Sequence, residues 1–172
     1  EETNDLYNYT FIRPNVNNFL QKLNEFAEIV IFSARNYDNA LLAKKQIDPQ
    51  NIYIKNVYNI NNTSPLNTSF PGPKDLQCLL VNNPHRKLEN IVIIDDWWDT
   101  NGLLHLTNFI PIIGWNVENI KYNLDFINYL KNDNYLLNDI LPFLKTLINV
   151  EDVRPIIAEY LNNEIFKQKL TK

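Results

Sequence analysis

The sequence predicts an α/β fold, a three-layer sandwich with a mainly parallel central sheet. Three observations carry this. Ile91-Val92-Ile93-Ile94-Asp95-Asp96 is a short apolar, mostly β-branched run that ends abruptly in two carboxylates. That is the pattern of a strand buried on both faces. Glu28-Ile29-Val30-Ile31-Phe32-Ser33-Ala34-Arg35 repeats the pattern and ends in a small hydroxyl. Between such runs lie stretches of helical period, and strands that alternate with helices make a parallel sheet. Ligands of open α/β sheets sit outside the carboxyl ends of the strands, so both runs point to one crevice.

Size and charge narrow the classes. The chain has 172 residues, of which 45% are hydrophobic and 12% aromatic, enough for one domain with a real core. A net charge of −4 and a pI of about 5.2 argue against nucleic acid or an anionic membrane and favour a basic partner. No apolar run approaches the ~18 residues that span a bilayer. Cys78 is the single cysteine, so neither an internal disulfide nor a thiolate cluster can form, and it reads as a small buried residue. The sequence contains no methionine and is expected to be an internal fragment, with any targeting segment before Glu1. Asparagine is over-used. The Asn-x-Ser/Thr matches at Asn8, Asn61, Asn62 and Asn67 are therefore read as chance.

The elements follow in order. Residues 1–13 alternate, with Tyr7, Tyr9 and Phe11 on one side, as in an edge strand. Pro14 suits the first position of a helix, and Val16, Phe19, Leu20, Leu23 and Phe26 continue it at helical spacing. The first buried strand spans 28–33. A second helix covers 36–46 and stops at Ile47-Asp48-Pro49, because the residue before proline avoids helical angles. Residues 50–73, with turn clusters at 61–65 and 71–73, read as a protruding hairpin or loop. A short helix is expected over 74–80 and the second buried strand over 91–96. Phe109 to Ile113 forms a shorter strand closed by Trp115. A helix is expected over 120–130 and another over 133–148, kinked at Pro142. Asp152-Val153-Arg154-Pro155 breaks it, and 156–170 forms a last amphipathic helix. No repeat is visible, and 1–172 reads as one domain.

Ser33, Lys74, Asp95 and Asp96 together could bind a phosphoryl group. Adjacent carboxylates can hold Mg²⁺, and a hydroxyl and an ammonium can take phosphate oxygens. A nucleophile is missing: no apolar strand ending in Asp-x-Asp precedes Arg13, and Asp5 follows no buried run.

The order Arg13-Pro14, Phe19-Leu20, Glu28 to Ala34, Lys74-Asp75-Leu76, Ile91 to Asp96, Ile110-Pro111-Ile112 and Trp115 resembles the carboxy-terminal-domain phosphatase branch of the haloacid dehalogenase superfamily. The resemblance covers about 11–160. It implies that the position of Ser33 binds phosphate, that of Lys74 neutralises it and that of Asp95 binds Mg²⁺. Two features depart from the family. The nucleophile motif is absent and belongs upstream, and Asp96-Trp97-Trp98-Asp99 stands where active members carry Asn-Ser-Pro. The tail, Ile140-Leu141-Pro142-Phe143-Leu144 and Glu151-Asp152-Val153-Arg154-Pro155-Ile156, is similar to that of the presequence-receptor subunits of the mitochondrial inner-membrane translocase. That resemblance implies a catalytically inactive domain in the intermembrane space, without a cofactor. Its partners would be basic amphipathic presequences, on presequence-bearing proteins, and other translocase subunits, the channel subunit among them. Membrane association would run only through segments outside this fragment.

On this reading Ser33, Lys74, Asp95 and Asp96 are vestigial phosphate-site positions. Tyr53, Tyr58, Phe70, Trp97 and Trp98 are candidate partner contacts, and no residue is assigned to catalysis or metal. His85 and His105 have no partner at a ligand spacing and receive no role. One alternative is a Mg²⁺-dependent protein Ser/Thr phosphatase whose nucleophile lies outside the sequence, with Asp95 as metal ligand. Another is a structural pseudoenzyme subunit of a large mitochondrial assembly.

Overall fold

The computed structural model describes residues 12–63, 72–81, 83–96, 104–115 and 132–162. The segments expected as an edge strand before Ile12 and as a helix over 120–130 lie outside them, as do Phe70, Trp97 and Trp98.

Helix α1 spans Val16–Leu23 and buries Phe19 and Leu20. Pro14 does not open it, contrary to the sequence expectation. Asn15 is the N-cap in a left-handed conformation, φ 60°, which asparagine tolerates better than most residues and which keeps the helix from starting earlier. Strand β1, Ile29–Phe32, follows, then α2, Tyr37–Ile47, capped by the Asn36 side chain accepting the Asn39 N–H. At its other end Asp48 is 3% exposed. Its carboxylate accepts the N–H groups of Ile52, Tyr53 and Ile54 at 2.9, 2.9 and 2.8 Å. This fixes the turn into β2, Ile54–Tyr58.

Residues 64–71 lie outside the described residues; for the part of 50–73 that is described, strand β2 corrects the expectation of a hairpin or loop. It pairs in parallel with β1, Ile31 opposite Val57 and Phe32 opposite Tyr58, with an irregularity between Ile29 and Val30. The exposed Lys55 and Asn56 give this core strand the look of a surface one. Tyr58, a candidate partner contact, is instead buried at 9% exposure, its ring 6.0 Å from that of Phe32. Tyr53 is likewise packed against the core.

Helix α3 is one turn, Cys78–Val81. Strand β3, Ile93–Asp95, pairs in parallel with β4, Phe109–Pro111, Asp95 lying opposite Pro111. Asn108, 1% exposed, donates to the carbonyls of Leu88 and Ile91 at 2.6 and 2.7 Å and sets the approach to both strands. Ile29 and Ile54 of the first pair and Ile110 of the second meet in one cluster with Leu136, Ile140, Leu141 and Ile157.

The kink expected at Pro142 is a change of helix type. Leu136–Ile140 is a wide π turn in which the Leu141 N–H reaches back to the Leu136 carbonyl. Helix α4, Leu141–Thr146, then starts with proline in its first turn, where no N–H is required. The same rule corrects the expected break at Asp152 to Pro155. Helix α5 runs Val153–Asn162, Asp152 accepts the Arg154 N–H at 3.0 Å, and Pro155 sits in the first turn.

Candidate functional site

Lys74 and Asp95 are brought together. The Lys74 ammonium pairs with Asp95 Oδ2, both side chains nearly nine-tenths buried. Lys74 is held on its backbone too. It forms an antiparallel bridge with Thr63, and its carbonyl accepts the Leu104 N–H at 3.2 Å. Asp95 is the last residue of β3, and its carbonyl accepts the Ile112 N–H at 2.9 Å.

Asp96 follows Asp95 and, taken as a whole residue, is exposed. Partial burial of its carboxyl raises its pKa most, and the charge of Asp95 adds to this, against weaker opposition from its own N–H and from Lys74. The carboxyl rests on Gly114, where an added Cβ would lie 3.0 Å from Asp96 Oδ2. A bare backbone is what lets the strand end and the carboxyl approach this closely.

Ser33 ends β1 as predicted. Its N–H donates to the Tyr58 carbonyl at 2.9 Å, and its Oγ accepts the Arg35 N–H at 3.1 Å. Its neighbour Phe32 packs against the cluster of Leu76, Ile93 and Phe109.

The structure adds residues that sequence spacing did not mark. His105 Nε2 lies 2.9 Å from Asp75 Oδ1, thirty positions away and beside Lys74. Arg13 donates through Nε and Nη2 to Asp133 Oδ2 at 3.1 and 2.8 Å and through Nη1 to the Ile113 carbonyl at 2.9 Å. Its guanidinium lies over the rings of Trp115 and Tyr135, 5.4 and 5.0 Å from their centroids. Arg13 thereby pins both sides of Gly114, the residue beneath Asp96. Its place before Pro14 was legible in the sequence, but its partner 120 positions away was not. The tail is accounted for structurally. Arg154 is committed to Asp152 and, at 3.1 Å, to Glu89 Oε1, so the Asp-Val-Arg motif starts α5 and locks it to the turn before β3.

Lys74 takes one oxygen of Asp95, and no group of three or more potential metal ligands exists among the described residues. Neither is any described helix long and apolar enough to cross a membrane.

Parallel strands that run out at Ser33 and at Asp95-Asp96, with Lys74 paired to Asp95 from another segment, fit a haloacid-dehalogenase-like phosphatase fold. Structures of fission yeast RNA polymerase II CTD phosphatase Fcp1 bear this out: one bound to beryllium fluoride superposes with a TM-score of 0.52 at 21% identity, covering 88% of this chain and 39% of that one. The chain belongs to the NLI interacting factor-like phosphatase family, whose model matches residues 2–154. It is 35% identical to CTD small phosphatase-like protein 2 of Dictyostelium discoideum over 86% of its length. It is 32% and 30% identical to the mitochondrial import inner membrane translocase subunits TIM50 of Phytophthora infestans and Candida glabrata, over 88% and 93% of its length. The chain spans 22%, 32% and 30% of those three relatives.

Proposed function

We propose that this domain is a binding module without phosphatase activity, a receptor-type domain of the mitochondrial presequence translocase that faces the intermembrane space and takes basic presequences. The observation that carries the reading is the charge at the end of β3: the cation Lys74 is neutralised by Asp95, and Asp96 adds a further carboxyl beside it. A phosphate dianion entering there meets net negative charge, whereas a lysine or arginine of a presequence meets attraction. The whole chain leans the same way, with 20 acidic against 16 basic residues. Leu104 and Leu106, both exposed, stand next to the Lys74 limb and offer an apolar contact for the other face of an amphipathic helix. The likeness to TIM50 over most of the chain supports the compartment and the translocase partners.

The test is fluorescence anisotropy of a labelled presequence peptide with the protein at its full native length. Saturable binding that weakens as salt rises, and weakens again in Asp96→Asn, is expected. A flat titration, or binding indifferent to salt, refutes the reading.

A phosphatase is the second reading. It is favoured by Ser33 and Asp95 at strand ends, by Lys74 paired to Asp95 and by the likeness to CTD small phosphatase-like protein 2. It requires a nucleophile on a further strand.

A further inference from the structure

We propose that His105 and Asp75 form a positioning pair that holds Lys74 in the crevice, whatever occupant the crevice takes. Residues 104 and 105 are zipped onto the Lys74 limb by two consecutive contacts. The Leu104 N–H donates to the Lys74 carbonyl at 3.2 Å, and the next side chain, His105, meets Asp75 Oδ1 at 2.9 Å. That same oxygen accepts the Gln77 N–H at 2.9 Å, so Asp75 is already fixed by the turn into α3 and gives His105 a rigid anchor. The imidazole is about four-fifths buried and the Asp75 side chain about seven-tenths, so water competes weakly for the contact. From the other side Thr63 bridges to Lys74. Lys74 is thus clamped between two chain segments, and only one clamp rests on a side-chain pair.

The consequence is that the ammonium reaches Asp95 because the backbone beneath it is held. A lysine side chain has four rotatable bonds and does not keep one position unaided. Removing the imidazole leaves Leu104 with a single long hydrogen bond to the limb, and both Leu104 and Lys74 should open more often.

Two readouts test this in the full chain. One is hydrogen exchange of the Leu104 amide, with the Ile112 amide, bonded to Asp95, as internal control. The other is the rate at which an acylating reagent modifies Lys74, read by peptide mass spectrometry. In His105→Ala both rates should rise about fivefold, the opening expected when one half-buried hydrogen bond is lost, with the Ile112 amide unchanged. His105→Gln, whose amide can still donate to Asp75, should restore most of the protection. Asp75→Asn keeps the acceptor oxygen and should lie near wild type. A folded His105→Ala with wild-type Leu104 exchange and Lys74 reactivity overturns the proposal, and so does equal loosening in His105→Gln. If His105→Ala does not fold, a His105→Gln that folds with protected Lys74 supports the pairing, and one with reactive Lys74 overturns it. Peptide binding is not among the readouts, so failure of the receptor reading leaves this result standing.

Discussion

Replacing Asp48 should be among the costliest single changes outside the apolar core. Its carboxylate gathers three backbone N–H groups at 2.8–2.9 Å from a position 3% exposed. In Asp48→Ala the donors differ in what becomes of them. Ile52 is exposed and Tyr53 half-buried, so water can reach both, whereas Ile54 is buried at 2% and its N–H stays unpaired. One orphaned donor costs about 1–3 kcal/mol, and losing charge-assisted bonds to the other two adds to that, for a total of about 3 kcal/mol. At 2–4 °C per kcal/mol for a chain of this size, Tm should fall by roughly 6–12 °C. Asp48→Asn should cost less but not nothing, because one oxygen in the place of Oδ2 can still accept the Tyr53 and Ile54 N–H groups while its amide NH2 then faces the Ile52 N–H. Burial pushes the Asp48 carboxyl up, but the three N–H groups and Lys44 together outweigh it and hold the pKa below the ordinary value. A depressed folded pKa means that this stability is fully present above about pH 4 and drains away as pH falls through the folded value. Denaturant melts at pH 7 and pH 3 check both points. A wild-type melt for Asp48→Asn at pH 7, or a gap between the two proteins that widens on acidification, refutes the reasoning.

Other expectations follow from the same contacts. Arg13→Lys cannot reproduce the fork onto Asp133 and Ile113 or the stacking on two rings, and it leaves a carboxylate 6% exposed. Chemical denaturation should show a loss of about 3 kcal/mol. Gly114→Ala places a Cβ 3.0 Å from Asp96 Oδ2. The carboxyl end can swing, so stability should change by less than about 1 kcal/mol, while a crystal structure should show the Asp96 carboxyl displaced. Burial and Asp75 push the Cys78 thiol up to about 11. Its reaction with a disulfide reagent at pH 8 should be more than about tenfold slower in the native protein than in the unfolded chain.

What could be read from the sequence was what depends on local pattern. The strand ends at Ser33 and Asp95, and the family order of motifs, stand out because buried parallel strands are continuous apolar runs that stop at polar residues. The pairing of β2 with β1 was missed because Lys55 and Asn56 break the apolar run into short β-like pieces, and that also misassigned Tyr58 to the surface. The expectation at Pro155 failed because it was read as part of a break, whereas it lies in the first turn of α5, and only the position of Asp152 before that helix decides it. His105–Asp75 and Arg13–Asp133 were illegible in principle, since both join residues that only the fold brings together.

The central claim is that this crevice binds without turning over phosphate. It is tested most directly by incubating the full-length protein with a phosphoserine peptide and Mg²⁺ and following released phosphate. The account predicts no release above that of the Asp95→Asn variant. Steady turnover by the wild-type protein that Asp95→Asn abolishes would contradict it and make the domain an enzyme.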